Sequence, residues 1–232
     1  PTAFAAGKVD GSVVTWGDSG DGGDSSAVSG QLRGGVLSVY STMFAFAAVK
    51  SGGSVVTWGS SLGGGDSSSA AASLSSGVVS LSSTALAFAA VKADGRVVTW
   101  GHSNYGGDSS VVSPQLLDVV SVSSTNDAFA ALRGSGSVVT WGNPNNGGDS
   151  SSVSGSLVGG VSALFSNLAS FVALKSDGSL VVWGSSTGGG SSSIPSTLTD
   201  VVSIFATWYA FAALMEDGSV ATWGSSSGGG DS

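Results

Sequence analysis

Five carboxylates recur at one position: Asp24, Asp66, Asp108, Asp149 and Asp231 each close a Gly-Gly-Asp run. Set side by side on one face, they would form a chain of cation sites, because Ca²⁺ takes oxygen ligands. Ca²⁺ wants about six to eight oxygens, however, and each loop brings one carboxylate and some serine hydroxyls. The simpler reading is an Asp that closes its own loop through an Asx-turn beside flexible glycines. Five basic residues share another position, Lys8, Lys50, Lys92, Arg133 and Lys175, with Met215 at the sixth. They would make an anion- or partner-binding ring. The simpler reading places each at an exposed hairpin end, near the turn Asp, in a screened pair worth about 0–1 kcal/mol. His102 is the only histidine. A Ser-His-Asp triad needs a uniquely placed serine, and serine is everywhere in this chain, so His102 reads as an incidental loop residue.

Three places break the monotony and are candidate partner contacts. His102 and Tyr105 share one loop. Asn143, Asn145 and Asn146 surround Pro144 in another. Trp208, beside Tyr209, is the one tryptophan outside the repeat position, and exposed aromatics anchor protein interfaces. No repeat carries an unrepeated acid, base and nucleophile, which argues against an enzyme. No cofactor or metal is called for.

Composition bounds the partners. The 232 residues include 41% hydrophobic and 9% charged, with 38 glycines, no cysteine and a net charge of −8. That balance opposes nucleic acid, whose binding relies on clustered Lys and Arg. Without cysteine there are no disulfides and no thiolate chemistry. No apolar run approaches the roughly 18 residues of a membrane span, so no membrane insertion is expected. Disorder is excluded because the apolar residues are β-branched and aromatic and return at fixed places.

The elements that must position these residues are repeats. Trp-Gly occurs at Trp16, Trp58, Trp100, Trp141, Trp183 and Trp223, at spacings of 42, 42, 41, 42 and 40. Twelve residues before each Trp stands a Phe: Phe4, Phe46, Phe88, Phe129, Phe171 and Phe211. Five before it stands a Gly: Gly11, Gly53, Gly95, Gly136, Gly178 and Gly218. Eight after it stands the Asp, with Ser191 the exception.

Each repeat reads as three strands: a Val-rich run such as Val119-Val120-Ser121-Val122, an Ala-rich run such as Ala87-Phe88-Ala89-Ala90-Val91-Lys92, and a run ending in Trp-Gly. Asp-Gly between the last two predicts a two-residue hairpin turn, whose central residues both need positive φ. The strands are apolar on both faces, with Phe46 and Ala48 one way and Ala47 and Val49 the other. Strands covered on both faces belong to stacked sheets. A solenoid also stacks, but its coils run about 20–30 residues, whereas propeller blades run about 40–50. The predicted fold is all-β, a single β-propeller over residues 1–232. Its repeats end near 17, 59, 101, 142, 184 and 224, and its blades have three to four strands.

These residues resemble the propeller family that includes the regulator of chromosome condensation and the bacterial β-lactamase inhibitory protein II. The pattern is carried by Val201-Val202-Ser203-Ile204, Ala210-Phe211-Ala212-Ala213-Leu214, Asp217-Gly218 and Val220-Ala221-Thr222-Trp223-Gly224. Ser113-Pro114-Gln115-Leu116 and Ile194-Pro195-Ser196-Thr197-Leu198 are similar to the segment between blades. The resemblance spans the chain, and its roughly 42-residue period is closer to the inhibitor's compact blades. Members of the family have seven blades. Six repeats are seen here, with six hairpins but five Val-rich first strands. The expectation is therefore six blades, or part of a seven-bladed ring with further sequence beyond one or both ends. The family often has Gly-His where this chain has Thr42, Thr84 or Thr125. The implied function is protein binding or scaffolding through loops, a rim or a blade face. The alternatives are a structural subunit of a larger assembly or filament and, by analogy only, a GTPase regulator acting by guanine-nucleotide exchange.

Overall fold

The Val-rich, Ala-rich and Trp-Gly runs become strands. The first repeat gives β1 (Ala3–Gly7) and β2 (Val13–Gly17), the second β3 (Val36–Ser41), β4 (Ala45–Lys50) and β5 (Val55–Gly59), and the third β6 (Val78–Ser83), β7 (Ala87–Lys92) and β8 (Val97–Gly101). The fourth gives β9 (Val119–Ser124), β10 (Ala128–Arg133) and β11 (Val138–Gly142), the fifth β12 (Val161–Ser166), β13 (Ser170–Lys175) and β14 (Leu180–Gly184), and the sixth β15 (Val201–Ala206), β16 (Ala210–Met215) and β17 (Val220–Gly224). Each repeat is its own antiparallel sheet with the Ala-rich strand in the middle, two-stranded in the first repeat and three-stranded in the other five. This computed structural model describes residues 2–190, Ile194, Leu198 and 200–231. The chain divides into two compact units, Pro1–Ser113 and Pro114–Ser232. Among the described residues, no helix is long and apolar enough to cross a membrane.

The two faces of a sheet differ in side-chain size, and that difference makes the core. In the first compact unit, Ala45, Ala47 and Val49 of the second repeat pack against Phe88, Ala90 and Trp100 of the third. Ala3 of the first repeat packs in the same way against Phe46, Ala48 and Trp58 of the second. The second compact unit repeats the scheme: Ala128 and Ala130 meet Phe171 and Trp183, and Val172 and Leu174 meet Phe211 and Trp223. Within each large face the rings stack, as in Phe46–Trp58 with centroids 5.3 Å apart and planes at 17°. A glycine lets the rings seat closely. Gly22, at φ +98°, has Phe46 so near that an added Cβ would lie 2.7 Å from Cδ2. Its carbonyl accepts from Trp58 Nε1 at 3.0 Å, and Gly64 and Gly147 serve Trp100 and Trp183 likewise.

The hairpin turn differs from the expected two-residue form. Gly11 N–H donates to Lys8 C=O at 2.9 Å and Lys8 N–H donates to Ser12 C=O at 2.8 Å, leaving three residues, 9–11, in the loop. Within the turn only the glycine has positive φ, +77° at Gly11. This is the three-residue hairpin in which a left-handed Gly follows an ordinary turn. The preceding Asp stays out of the left-handed region and instead accepts from the Ser12 N–H at 2.9 Å. The turn glycine also supports the next sheet, its carbonyl accepting from Val36 N–H at 3.0 Å.

Two further features recur. The first strand carries a bulge where its register with the middle strand shifts, between Val36 and Ser38 and between Val78 and Ser80 in the first compact unit. The skipped residues, Leu37 and Val79, are exposed. On the opposite edge the incoming segment seats a buried leucine, Leu32 or Leu74, whose carbonyl accepts from Val13 or Val55 at 2.9 Å. Leu116, from the Pro-containing segment, is buried likewise. Ser191, Pro195, Ser196 and Thr197 lie outside the described residues.

Candidate functional site

The loops after Trp-Gly satisfy their own polar groups. Asp24, Asp66, Asp108 and Asp149 each accept the backbone N–H two residues on, at 2.8–2.9 Å. Those bonds, from Ser26, Ser68, Ser110 and Ser151, hold the carboxyls below the ordinary 3.8. The serine after each of these Asp residues pairs with a strand threonine, as in Thr57–Ser67 at 2.9 Å. Asp231 is exposed. Among the described residues, no three His, Asp or Glu side chains gather as a metal site.

His102 and the Asn loop occupy one structural position. His102 Nδ1 accepts from Asn104 N–H at 3.3 Å and Asn143 Oδ1 accepts from Asn145 N–H at 3.0 Å, each opening a short helical turn. His102 also lies edge-on to Tyr105, with ring centroids 5.2 Å apart. The basic column does more than was expected: beside the stronger hydrogen bonds from Ser12 and Ser179, Lys8 and Lys175 act electrostatically on the turn carboxyls Asp10 and Asp177, and the long side chains also bond to backbone. Lys50 Nζ donates to Gln31 C=O at 2.5 Å, Arg133 Nε to Leu117 C=O at 2.9 Å and Lys175 Nζ to Ser156 C=O at 3.1 Å. Their long stems reach past the turn to carbonyls of the segment entering the same repeat. The ion pair found among the described residues is Arg96–Asp94, at 3.5 Å.

Sequence reasoning noted the threonines before the middle strand only as a departure from the family pattern and gave them no role. Thr84 is 5% exposed, donates to Tyr105 C=O at 2.9 Å and accepts from Ala87 N–H at 3.0 Å. Thr42 and Thr125 do the same, and Asn167 substitutes with its amide. These residues fasten the loop after Trp-Gly to the loop before the middle strand.

Just beyond that threonine stands the most varied pair of the repeat: Met43-Phe44, Ala85-Leu86, Asn126-Asp127, Leu168-Ala169 and Trp208-Tyr209. In the second compact unit the backbones of these pairs form one row, Asn126 N–H donating to Leu168 C=O at 2.9 Å and Leu168 N–H to Trp208 C=O at 3.2 Å. At one end Asp127 gathers two amides, Asn126 Nδ2 at 2.5 Å and Asn146 Nδ2. At the other, Trp208 is 76% exposed and Tyr209 40%. Two places singled out separately in the sequence, Asn146 and Trp208-Tyr209, therefore stand on one edge. Asn143 hydrogen-bonds through its N–H to Asp127 C=O at 2.9 Å, and Asn145 is exposed. Asp127 itself was missed; the signal available was the variability of this pair between invariant neighbours.

No protein-family model matches the chain, and no curated protein matches it by sequence. Solved structures do match. The ectodomain of the receptor kinase CR4 from Physcomitrella patens is similar at TM-score 0.58 and 14% identity, over 96% of this chain and 60% of that one. Human WBSCR16 is similar at 0.59 and 17%, over 96% and 73%. Prp20p from Saccharomyces cerevisiae, the yeast RCC1, studied for its binding to Gsp1p and histones, is similar at 0.53 and 15%, over 96% and 70%. The chain thus spans 60% of the length of the moss ectodomain. At these identities the likeness establishes the fold, an all-β propeller of the kind seen in the yeast protein, with three-stranded blades in five of six repeats.

Proposed function

We propose that the chain is a non-enzymatic protein-binding module that works as one propeller domain and presents its partner site on the row from Asp127 to Trp208. The observation carrying this reading is Trp208, 76% exposed on a backbone held by Leu168 N–H. A large ring on a fixed backbone contributes contact area with little ordering cost. Invariant core columns with a varied surface pair are also how a rigid scaffold carries recognition. The yeast protein of this fold binds Gsp1p and histones, which supports a protein partner for this chain. Guanine-nucleotide exchange rests on that analogy alone.

Capture from native material, compared between the chain and its Trp208→Ala variant, tests the reading. A partner retained by the parent and lost by the variant supports it; identical captures refute it. A second reading, a structural subunit of an assembly, is favoured by the low charged fraction of 9%, since so weakly charged a surface promotes association. Light scattering separates the two, a persistent monomer supporting the binding module.

A further inference from the structure

The fourth repeat carries polar side chains that its fold does not need. Asn126, Asp127 and Asn146 are half-buried there. The equivalent positions hold Met43, Phe44 and Gly63 in the second repeat and Leu168, Ala169 and Gly188 in the fifth. Gly63, Asn146 and Gly188 correspond because Thr42, Thr125 and Asn167 donate to their carbonyls. The same loops therefore close with apolar side chains or none, and the polar trio is free to serve a ligand.

The trio gathers acceptors around one charge. The Asp127 carboxylate accepts from Asn126 Nδ2 at 2.5 Å and from Asn146 Nδ2. A carboxylate offers no proton, so each amide turns its NH₂ toward it and leaves its own oxygen alongside. Among the described residues nothing donates to either amide oxygen, and each carboxylate oxygen keeps a spare lone pair. No cation answers them: among the described residues Asp127 forms no ion pair. Arg133 stands at the far end of β10, about 20 Å away at about 3.3 Å per residue. The backbone beneath is already set. Asn126 N–H donates to Leu168 C=O at 2.9 Å, Asn143 N–H to Asp127 C=O at 2.9 Å and Thr125 Oγ1 to Asn146 C=O at 2.9 Å.

We infer that this trio takes an arginine side chain of the partner protein. The inference rests on the reading of the row as a partner surface and names what one end of it recognises. A guanidinium presents all its N–H donors in a planar fork, enough to meet the carboxylate and both amide oxygens together, whereas an ammonium donates from a single point. The bonds to the carboxylate are charge-assisted, which makes them the stronger kind. A net charge of −8 draws a cationic segment toward the chain. Because the acceptors are held in place beforehand, little ordering cost remains on their side.

The test is a titration of the pure chain with the acetylated, amidated peptide Gly-Arg-Gly, followed through the side-chain amide signals of Asn126 and Asn146 in proton–nitrogen correlation spectra. Peptides with lysine or citrulline in place of arginine are the controls, citrulline keeping the shape without the charge. The arginine peptide should shift both signals saturably, and more weakly as salt is added. Asp127→Ala should weaken binding by about tenfold or more; alanine already stands at that position as Ala169 of the fifth repeat. Asn146→Gly, for which Gly188 is the precedent, should weaken it less. No saturable shift, an equal response to lysine or citrulline, or an Asp127→Ala chain that binds as the parent does would overturn the inference. A silent titration beside captures that Trp208→Ala alters would remove the arginine subsite and leave the row standing. A specific titration beside captures that Trp208→Ala leaves unchanged would uphold the subsite and take Trp208 out of the partner surface.

Discussion

Replacing Thr84 by Val should destabilise the first compact unit by about 2–4 kcal/mol. Valine matches threonine in shape, so packing is nearly unchanged and the loss isolates the hydroxyl. That hydroxyl serves two groups, the Tyr105 carbonyl at 2.9 Å and the Ala87 N–H at 3.0 Å, at a residue only 5% exposed. A buried polar group left without a partner costs about 1–3 kcal/mol, and two are orphaned here. The carbonyl's second lone pair softens its part, which sets the upper bound near 4. With a urea slope of about 2 kcal/mol/M, the midpoint should fall by roughly 1–2 M, read by tryptophan fluorescence. Thr84→Ser keeps the hydroxyl and loses one methyl, so it should cost about 1 kcal/mol. If Val stays within about 0.5 kcal/mol of the parent, or Ser costs as much as Val, the hydroxyl is not the fastening group.

Three other outcomes follow from the same geometry. Gly64→Ala should cost about 2–4 kcal/mol by urea unfolding, because the Cβ would lie 2.8 Å from Phe88 Cδ2 at φ +92°. Gly30→Ala, with nothing within 4 Å, should change stability by less than about 0.5 kcal/mol. Trp183→Phe should cost more than Trp223→Phe: Trp183 Nε1 donates to Gly147 C=O at 3.0 Å, whereas Trp223 Nε1 is buried without a partner among the described residues. Phe at 223 removes that orphan donor, so equal costs in parallel melts would contradict the assignment. Acid should loosen the loops. The carboxyl of Asp66 is held below 3.8 by the Ser68 N–H, and that of Asp177 by the Ser179 hydroxyl and N–H. Folded values below unfolded ones mean the contribution is complete above 3.8 and lost as pH falls through the folded value. Asp66→Asn keeps the accepting oxygen and should flatten part of that loss in urea midpoints taken between pH 6 and pH 3; an unchanged profile would count against the Asx bond.

Much of the fold was legible because each structural position is written five or six times. The Phe, Trp and Gly columns gave strand order, hairpins and even the division of Phe46 and Ala48 from Ala47 and Val49 between faces. The turn length was not legible, since Asp-Gly suits both a two- and a three-residue loop. The choice depends on whether the residue before Asp, Val9 in the first repeat, leaves the ladder. The basic column was only half read for a related reason. Proximity to the turn Asp is visible in sequence, but the carbonyl that Lys50 reaches belongs to Gln31, 19 residues earlier. The candidate site was half legible. Trp208 and Asn146 break the repeat and were noticed; Asp127 joins the edge only because the loop conformation brings Asn146 to it.

The bulge in each first strand bears on edge-to-edge pairing in so sparsely charged a chain. A stray strand aligning along β3 would lose step at Leu37, where an extra residue interrupts the ladder of free amides and carbonyls. The far edge of the sheet β1–β2 is already occupied, its Val13 amide bonded to Leu32 C=O at 2.9 Å. Interruption and covering are both means by which β proteins keep their borders from templating amyloid-like growth. Such protection needs no lysine or glutamate at the margin, which lets the repeat remain built of valine, alanine, serine and glycine.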